Sequence, residues 1–242
     1  MKIQILYSIE AKSGILIGST SEILKIGLDK TTLRSRRINF SSNNDELPLS
    51  VVDGGPVIPG STMKGKVRSE CERILRSLGH PVCKSPSADT MCPHLSAPSL
   101  PATCEICSLF GGPNVKSNVF FSDAQLSSPD LVAVATIVQP GVAISRARRV
   151  AADERLFFLE RGAEGLRYEG SVDGYLAFEN VERQIALIVV AMENLLAIGG
   201  GKSRGSGWTK VTIEQITKDK EVIHGDSLAQ IRGALTRWKE LK

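Results

Sequence analysis

Residues 55–68 read GPVIPGSTMKGKVR. A Pro-Gly-hydroxyl turn runs into apolar positions Met63, Val67, Cys71, Ile74, Leu75 and Leu78, whose spacing predicts a helix ending at Gly79. Ser61 or Thr62 is placed to cap that helix. Lys64 and Arg68 are four residues apart and share one face near its free backbone amides, with Lys66 between them. A second run, Gly199 to Trp208, GGGKSRGSGW, repeats this chemistry. Glycine lets a backbone approach phosphate closely, and the adjacent hydroxyls and cations hold it. A polyanion is therefore the expected partner, contacted by Ser61, Thr62, Lys64, Lys66 and Arg68 from the first run. Gly200, Gly201, Lys202, Ser203 and Arg204 contact it from the second.

Outward from these runs, KIQILYSI at 2–9 alternates as a strand, and Gly14 to Gly18 leads to a second turn or strand. Arg34 to Asp53, centred on SSNND, reads as a polar, flexible loop. Val82 to Val115 has the composition of an insertion, and Phe120 to Ala124 resumes as a strand. From Ile144 the segment ISRARRVAADERLFFLERGAEGLRY places cations before a strand-like LFFLE run, compatible with a hairpin projecting from the body. Tyr175 to Phe178 is a short strand at most, Glu182 to Ile198 an apolar helix stopped by Gly199-Gly200-Gly201, and Trp208 to Ile216 a closing strand. Strand, helix and strand thus recur in two halves, which predicts an α+β fold with a ferredoxin-like or RNA-recognition-type sheet.

The 242 residues, 42% of them hydrophobic, suffice for one large domain or two small ones. Thirty Lys+Arg against 26 Asp+Glu leave a net charge of only +4, so the placement of cations matters more than their sum. They cluster at Arg34, Arg36 and Arg37, at Lys64, Lys66 and Arg68, at Arg146, Arg148 and Arg149, and at Lys202 and Arg204. No apolar stretch approaches the roughly 20 residues that span a bilayer, and the N-terminus lacks a signal peptide's cationic start and cleavage site. The expectation is a cytoplasmic protein with no membrane partner.

Five cysteines in such a chain are thiols or metal ligands rather than disulfides. Cys104 and Cys107 have the C-x-x-C spacing that turns two thiolates onto one tetrahedral zinc, and Cys83 and Cys92 supply the other half; His80 or His94 could replace either one. Zinc chemistry at a catalytic site would require an open position and a nearby acid, and Glu105 is the one acid between the paired cysteines. A structural zinc is the preferred reading over a thiol cluster or a redox centre.

With these residues in view the chain resembles a known family. VIPGSTMKGKVRSECERIL is similar to the signature that opens the first helix of RAMP proteins of CRISPR effector complexes, commonly IPG-S-S-x-K-G-x-x-R. CEICSLFG at 104–111, the segment from Ile144 and IGGGKSRGSGW at 198–208 resemble that superfamily in the same order, covering most of residues 1–210. Among RAMPs the likeness is to the repeated backbone subunit of type III complexes, which polymerises along a guide RNA. The resemblance implies one RAMP domain over 1–242, with a modified RNA-recognition fold, a zinc-bearing insertion at 79–118 and a thumb hairpin at 144–168 that intercalates at the guide–target duplex. Arg146, Arg148 and Arg149 would then contact RNA. The implied partners are the guide RNA, the complementary target RNA, and copies of the chain or other effector subunits.

The resemblance also implies that Asp29, in LKIGLDKTTL, supports target-RNA cleavage with Mg²⁺ or another divalent cation, making the protein a metal-dependent endoribonuclease. Here about twenty residues from Arg34 to Asp53 separate that loop from Gly54, and Asp45, Glu46 and Asp53 are rival acids. VVDGGPVIPG lacks the Arg-Asp-Pro that often precedes the signature. The alternatives are a scaffold that binds RNA without cutting it, a generic zinc-binding RNA module, and a metal-independent enzyme that processes precursor RNA. The last often needs a histidine base, and His80, His94 and His224 are the histidines available.

Overall fold

In the computed structural model, which describes residues 1–18, 27–40, 49–92, 103–177, 180–223 and 233, the chain opens with β1 (Lys2–Ala11) and a hairpin, β2 (Arg34–Phe40) and β3 (Leu49–Pro56). Then follow α1 (Gly60–Ser77), α2 (Glu105–Phe110), β4 (Val119–Phe121), β5 (Gln125–Leu126), and a long hairpin of β6 (Thr136–Ser145) and β7 (Val150–Gly162). The chain continues through β8 (Arg167–Tyr175), α3 (Val181–Glu193), β9 (Thr209–Lys218) and β10 (Glu221–Ile223).

Alternation in β1 decides the architecture. Ile3, Ile5, Tyr7, Ile9 and Ala11 point to one face and are buried, so that face has to be covered. β8 pairs antiparallel along one edge of β1 and β9 along the other, giving the order β10-β9-β1-β8-β4, with β5 also on β8. Helices α1 and α3 pack on each other, α1 against β4 and α3 against β9. Met63, Val67, Cys71 and Leu75 of α1 and Ile185, Ile188, Val189 and Met192 of α3 enter the shared core. Taken as strand-helix-strand units, β1-α1-β4 and β8-α3-β9 are the two halves of a ferredoxin-like α+β fold, the expected class. The opposite sheet face carries paired polar groups. Gln4 donates to Asp173 (2.9 Å), while Ser8 (2.5 Å) and Arg167 (2.8 Å) both donate to Glu214.

Several local expectations change. Arg34 to Asp53 is not a loop throughout: β2 and β3 form an antiparallel pair with Arg36 opposite Asp53 and Ile38 opposite Val51. Its polar centre conceals two strands whose backbone groups pair with each other. The long hairpin spans 136–162 rather than 144–168, because its first strand, TIVQPGVAIS, precedes the arginine turn. Tyr175 closes β8 rather than starting a separate strand, and Phe178 lies outside the described residues. α3 stops at Glu193, short of Ile198, because the following backbone turns to the returning chain. Thr209 N–H donates to Leu196 O (2.9 Å), and Ile198 N–H to Gly207 O (2.8 Å). Among the described residues, no helix is long and apolar enough to cross a membrane.

The cap of α1 also differs. Neither Ser61 nor Thr62 caps the helix, which begins one residue earlier at Gly60 after Pro59. Asp123, just after β4, accepts the Gly60 N–H through Oδ1 at 2.8 Å, placing a carboxylate at the positive end of the helix. A Cβ at Gly60 would collide with the Phe121 carbonyl, so glycine is what allows α1 to start against β4. Asp123→Ala should lower unfolding stability by about 1 kcal/mol, the usual worth of a lost cap. Gly60→Ala should destabilise more, because its obstacle is backbone; urea titration of both variants checks the order.

Candidate nucleic-acid interface and metal centre

The insertion after α1 folds back so that Cys83, Cys92, Cys104 and Cys107, all buried, place their sulfurs within 4.8 Å of one another. Four sulfurs about 2.3 Å from one tetrahedral ion would lie about 3.8 Å apart, so the set fits zinc with small adjustments. Cys83 Sγ is 3.3 Å from Cys107 Sγ and 3.5 Å from Cys104 Sγ. The Cys104 N–H donates to Cys92 Sγ at 3.3 Å, and the Arg68 guanidinium points at Cys107 Sγ from 3.8 Å, both suited to thiolates. Burial pushes the Cys83 and Cys92 thiols up from their ordinary range, a cost that a divalent ion reverses by taking the thiolate form. His80 is not part of this group, and His94 lies outside the described residues. Glu105 turns away: its Oε2 accepts from Arg183 of α3 at 2.8 Å, tying the insertion to the core rather than serving the metal. Four cysteine ligands would close the coordination sphere of a bound zinc, as in structural sites.

The second glycine-rich run forms a tight loop beside the turn after β1. Gly199, Gly201, Gly205 and Gly207 all have positive φ; at Gly199 and Gly207 a Cβ would also strike the Leu16 and Ile198 carbonyls. Gly200 N–H donates to Leu16 O (2.8 Å) and Gly207 N–H to Gly14 O (2.9 Å), fixing the loop to the body. The exposed 3-10 turn Lys202–Arg204 remains at its crest. The N–H groups of Gly201, Lys202 and Ser203 have no acceptor among the described residues, and the exposed turn carries two cations beside them. From α1, Lys66 reaches this loop. Lys202 beside it, together with burial, holds the Lys66 ammonium below its usual range, as expected of two cations brought together without an intervening acid.

The structure thus joins Lys66 to the Gly200–Arg204 group and separates Lys64 and Arg68 from it. Lys64 and Arg68 do share one face of α1, but the 103–119 segment fills it. Lys64 donates to Ser117 Oγ (2.7 Å), and Arg68 to Gly111 O (2.9 Å) and Glu72 (3.2 Å). Ser61 and Thr62 occupy the first turn of α1, exposed and half-buried. Arg146, Arg148 and Arg149 are exposed at the tip of the β6–β7 hairpin. Arg34 is not a surface cation: it donates to Glu160 (2.5 Å) and Thr136 (2.7 Å) at the foot of that hairpin.

Asp29 lies at the same foot, exposed, and is held by β7. Its Oδ2 accepts the Phe158 N–H at 2.7 Å, its own N–H donates to Phe158 O at 3.0 Å, and Lys30 bridges Leu159 in parallel register. Oδ1 has no partner among the described residues. Among the described residues one carboxylate oxygen is therefore held and the other is not. Asp45 and Glu46 lie outside the described residues; Asp53 is placed by its backbone in β3, opposite Arg36. Sequence reasoning did not identify Asp123, Glu160 or Arg161, which donates to Ser206 Oγ (2.5 Å) and links the hairpin to the glycine loop. Glu160 and Arg161 lie inside the LFFLE-RG run, whose apolar character masked two positions turned toward other loops.

A protein-family model described as the RAMP superfamily matches residues 8–210, a span that includes the α1 signature, the cysteines, the hairpin and the glycine loop. No curated protein matches the chain.

Two outcomes follow from this geometry. Elemental analysis should find one zinc per chain, and Cys104→Ser or Cys107→Ser should remove it along with several kcal/mol of stability. Acidification should release the metal, since protons compete for the same sulfurs; a variant that keeps full metal and stability would exclude the site. For RNA, Lys66→Ala and Lys202→Ala should each lower the slope of log affinity against log salt by about one. Lys64→Ala should change it less, because its ammonium is engaged by Ser117.

Proposed function

The chain belongs to the RAMP superfamily, and from that premise we propose that it is the repeated backbone subunit of a type III CRISPR effector complex that cleaves target RNA with a divalent cation. Membership makes it a CRISPR-associated RNA-binding subunit; the complex type and the cleavage are the finer reading. The guide backbone lies along the Gly201–Ser203 donors with Lys66, Lys202 and Arg204, where phosphate oxygens find hydrogen-bond donors and positive charge together. The hairpin, with Arg146, Arg148 and Arg149 at its tip, reaches across guide and target.

The observation that carries the cleavage reading is Asp29. Its carboxylate is exposed at the foot of the hairpin, oriented through one oxygen by the Phe158 N–H. Oδ1 can ligate Mg²⁺ or orient the attacking 2′-hydroxyl at a phosphate distorted by the hairpin. The zinc takes no part in this reaction and serves to fold the insertion.

The same hydrogen bond favours one rival, a scaffold in which Asp29 only anchors its loop. Asp29→Asn separates the two, because an amide oxygen still accepts the Phe158 N–H while the charge is lost. Cleavage of bound target in the guide-loaded complex should fall roughly 10²–10³-fold, with guide affinity and assembly unchanged. A 2′-deoxy nucleotide at the cut site should block the unmutated protein. If Asp29→Asn cuts normally, the acid is one of Asp45, Glu46 and Asp53, to be replaced singly. If none of the four matters, the protein is a scaffold.

A further inference from the structure

Glu160 is 2% exposed and lies on β7, two residues beyond the Phe158 that holds Asp29. A buried carboxylate is costly unless charge and hydrogen bonds compensate it, and here the compensation comes from the segment that follows Asp29. Oε1 accepts from Arg34 at 2.5 Å, and that guanidinium also donates to Thr136 on β6. Oε2 accepts the Thr32 N–H at 3.2 Å, and the Glu160 N–H donates to Lys30 O at 2.9 Å. One residue thus contacts positions 30, 32 and 34, alternate residues of one short extended stretch. Asp29 is the next residue toward the N-terminus, with its own N–H on Phe158 O. Sliding the stretch along β7 would break these contacts together.

We propose that Glu160 is the positioning residue for Asp29: through Lys30, Thr32 and Arg34 it fixes the register of residues 29–34 against β7, and so the direction in which Oδ1 of Asp29 points. Glu160 touches no substrate. The inference rests on the reading of Asp29 as the cleavage acid.

The experiment compares Asp29→Asn, Glu160→Gln and the double variant in the guide-loaded complex, measuring single-turnover cleavage of saturating target, target affinity and the Mg²⁺ concentration for half-maximal rate. Glu160→Gln keeps an acceptor for Thr32 but loses the ion pair with Arg34. Its rate should fall about 10- to 100-fold, the range for residues that support a functional group from behind, with target affinity within about twofold. More Mg²⁺ should be required. The double variant should cut no more slowly than Asp29→Asn alone, because a residue acting through Asp29 has nothing left to position. A wild-type rate for Glu160→Gln, or a fully multiplicative double variant, overturns the proposal. Normal cutting by Asp29→Asn instead removes the reading beneath it. If Glu160→Gln does not assemble, Thr32→Pro removes the shared N–H with both charges intact and is held to the same criteria. If neither assembles, Glu160 is a folding residue and the proposal fails.

Discussion

Everything in this fold is arranged around β1 having two paired edges and only one apolar face. β8 and β9 take the edges, so neither is open to another strand, and the alternation of Ile3, Ile5, Tyr7 and Ile9 calls both helices to the same side. Burying those four side chains is worth on the order of 6–12 kcal/mol, comparable to the net stability of a domain. Because the helices are committed to that side, all additional segments are inserted between elements. The β2–β3 hairpin lies between β1 and α1, the cysteine segment between α1 and β4, and the β6–β7 hairpin between β5 and β8.

Those insertions converge where chemistry is available. The glycine loop is tied to the turn after β1 by Gly200 and Gly207, the Asp29 segment is carried on β7, and Arg161 of β7 reaches Ser206 in the loop. The chain's small net charge is sorted as a result. On the sheet face Arg167 and Lys12 are paired with Glu214 and Glu10, whereas Lys66 and Lys202 face each other. A polyanion therefore meets paired charges at these sheet positions and two adjacent cations at Lys66 and Lys202.

How far this could be read from the residues depended on the length of the signal. The α1 periodicity, the β1 alternation and the cysteine spacing are local patterns, and α1, β1 and the four-cysteine cluster are all present. The helix cap was not legible, because Asp123 lies 63 residues from Gly60 and no local pattern connects them. Arg34 looked like a surface cation because its partner Glu160 is 126 residues away. Lys64 and Arg68 were correctly placed on one face, but sequence could not say that the cysteine segment would cover it and leave Lys66 to meet the glycine loop. β2 and β3 were missed because each is recognised by its pairing with the other, a contact between separate stretches that the polar SSNND centre of the segment hides from local periodicity.

The parallel bridge between Lys30 and Leu159 makes the Asp29 segment, in effect, a third strand of the β6–β7 ribbon. The ten residues of β6 at about 3.3 Å per residue give that ribbon a reach of about 33 Å, and a two-stranded ribbon bends more readily than a sheet. Because the Asp29 N–H and one of its carboxylate oxygens both bond Phe158, the ribbon shares in setting where the carboxylate lies. Whatever the ribbon leans against helps to set the coordinates of Asp29, as the arm of a compass sets the position of its point.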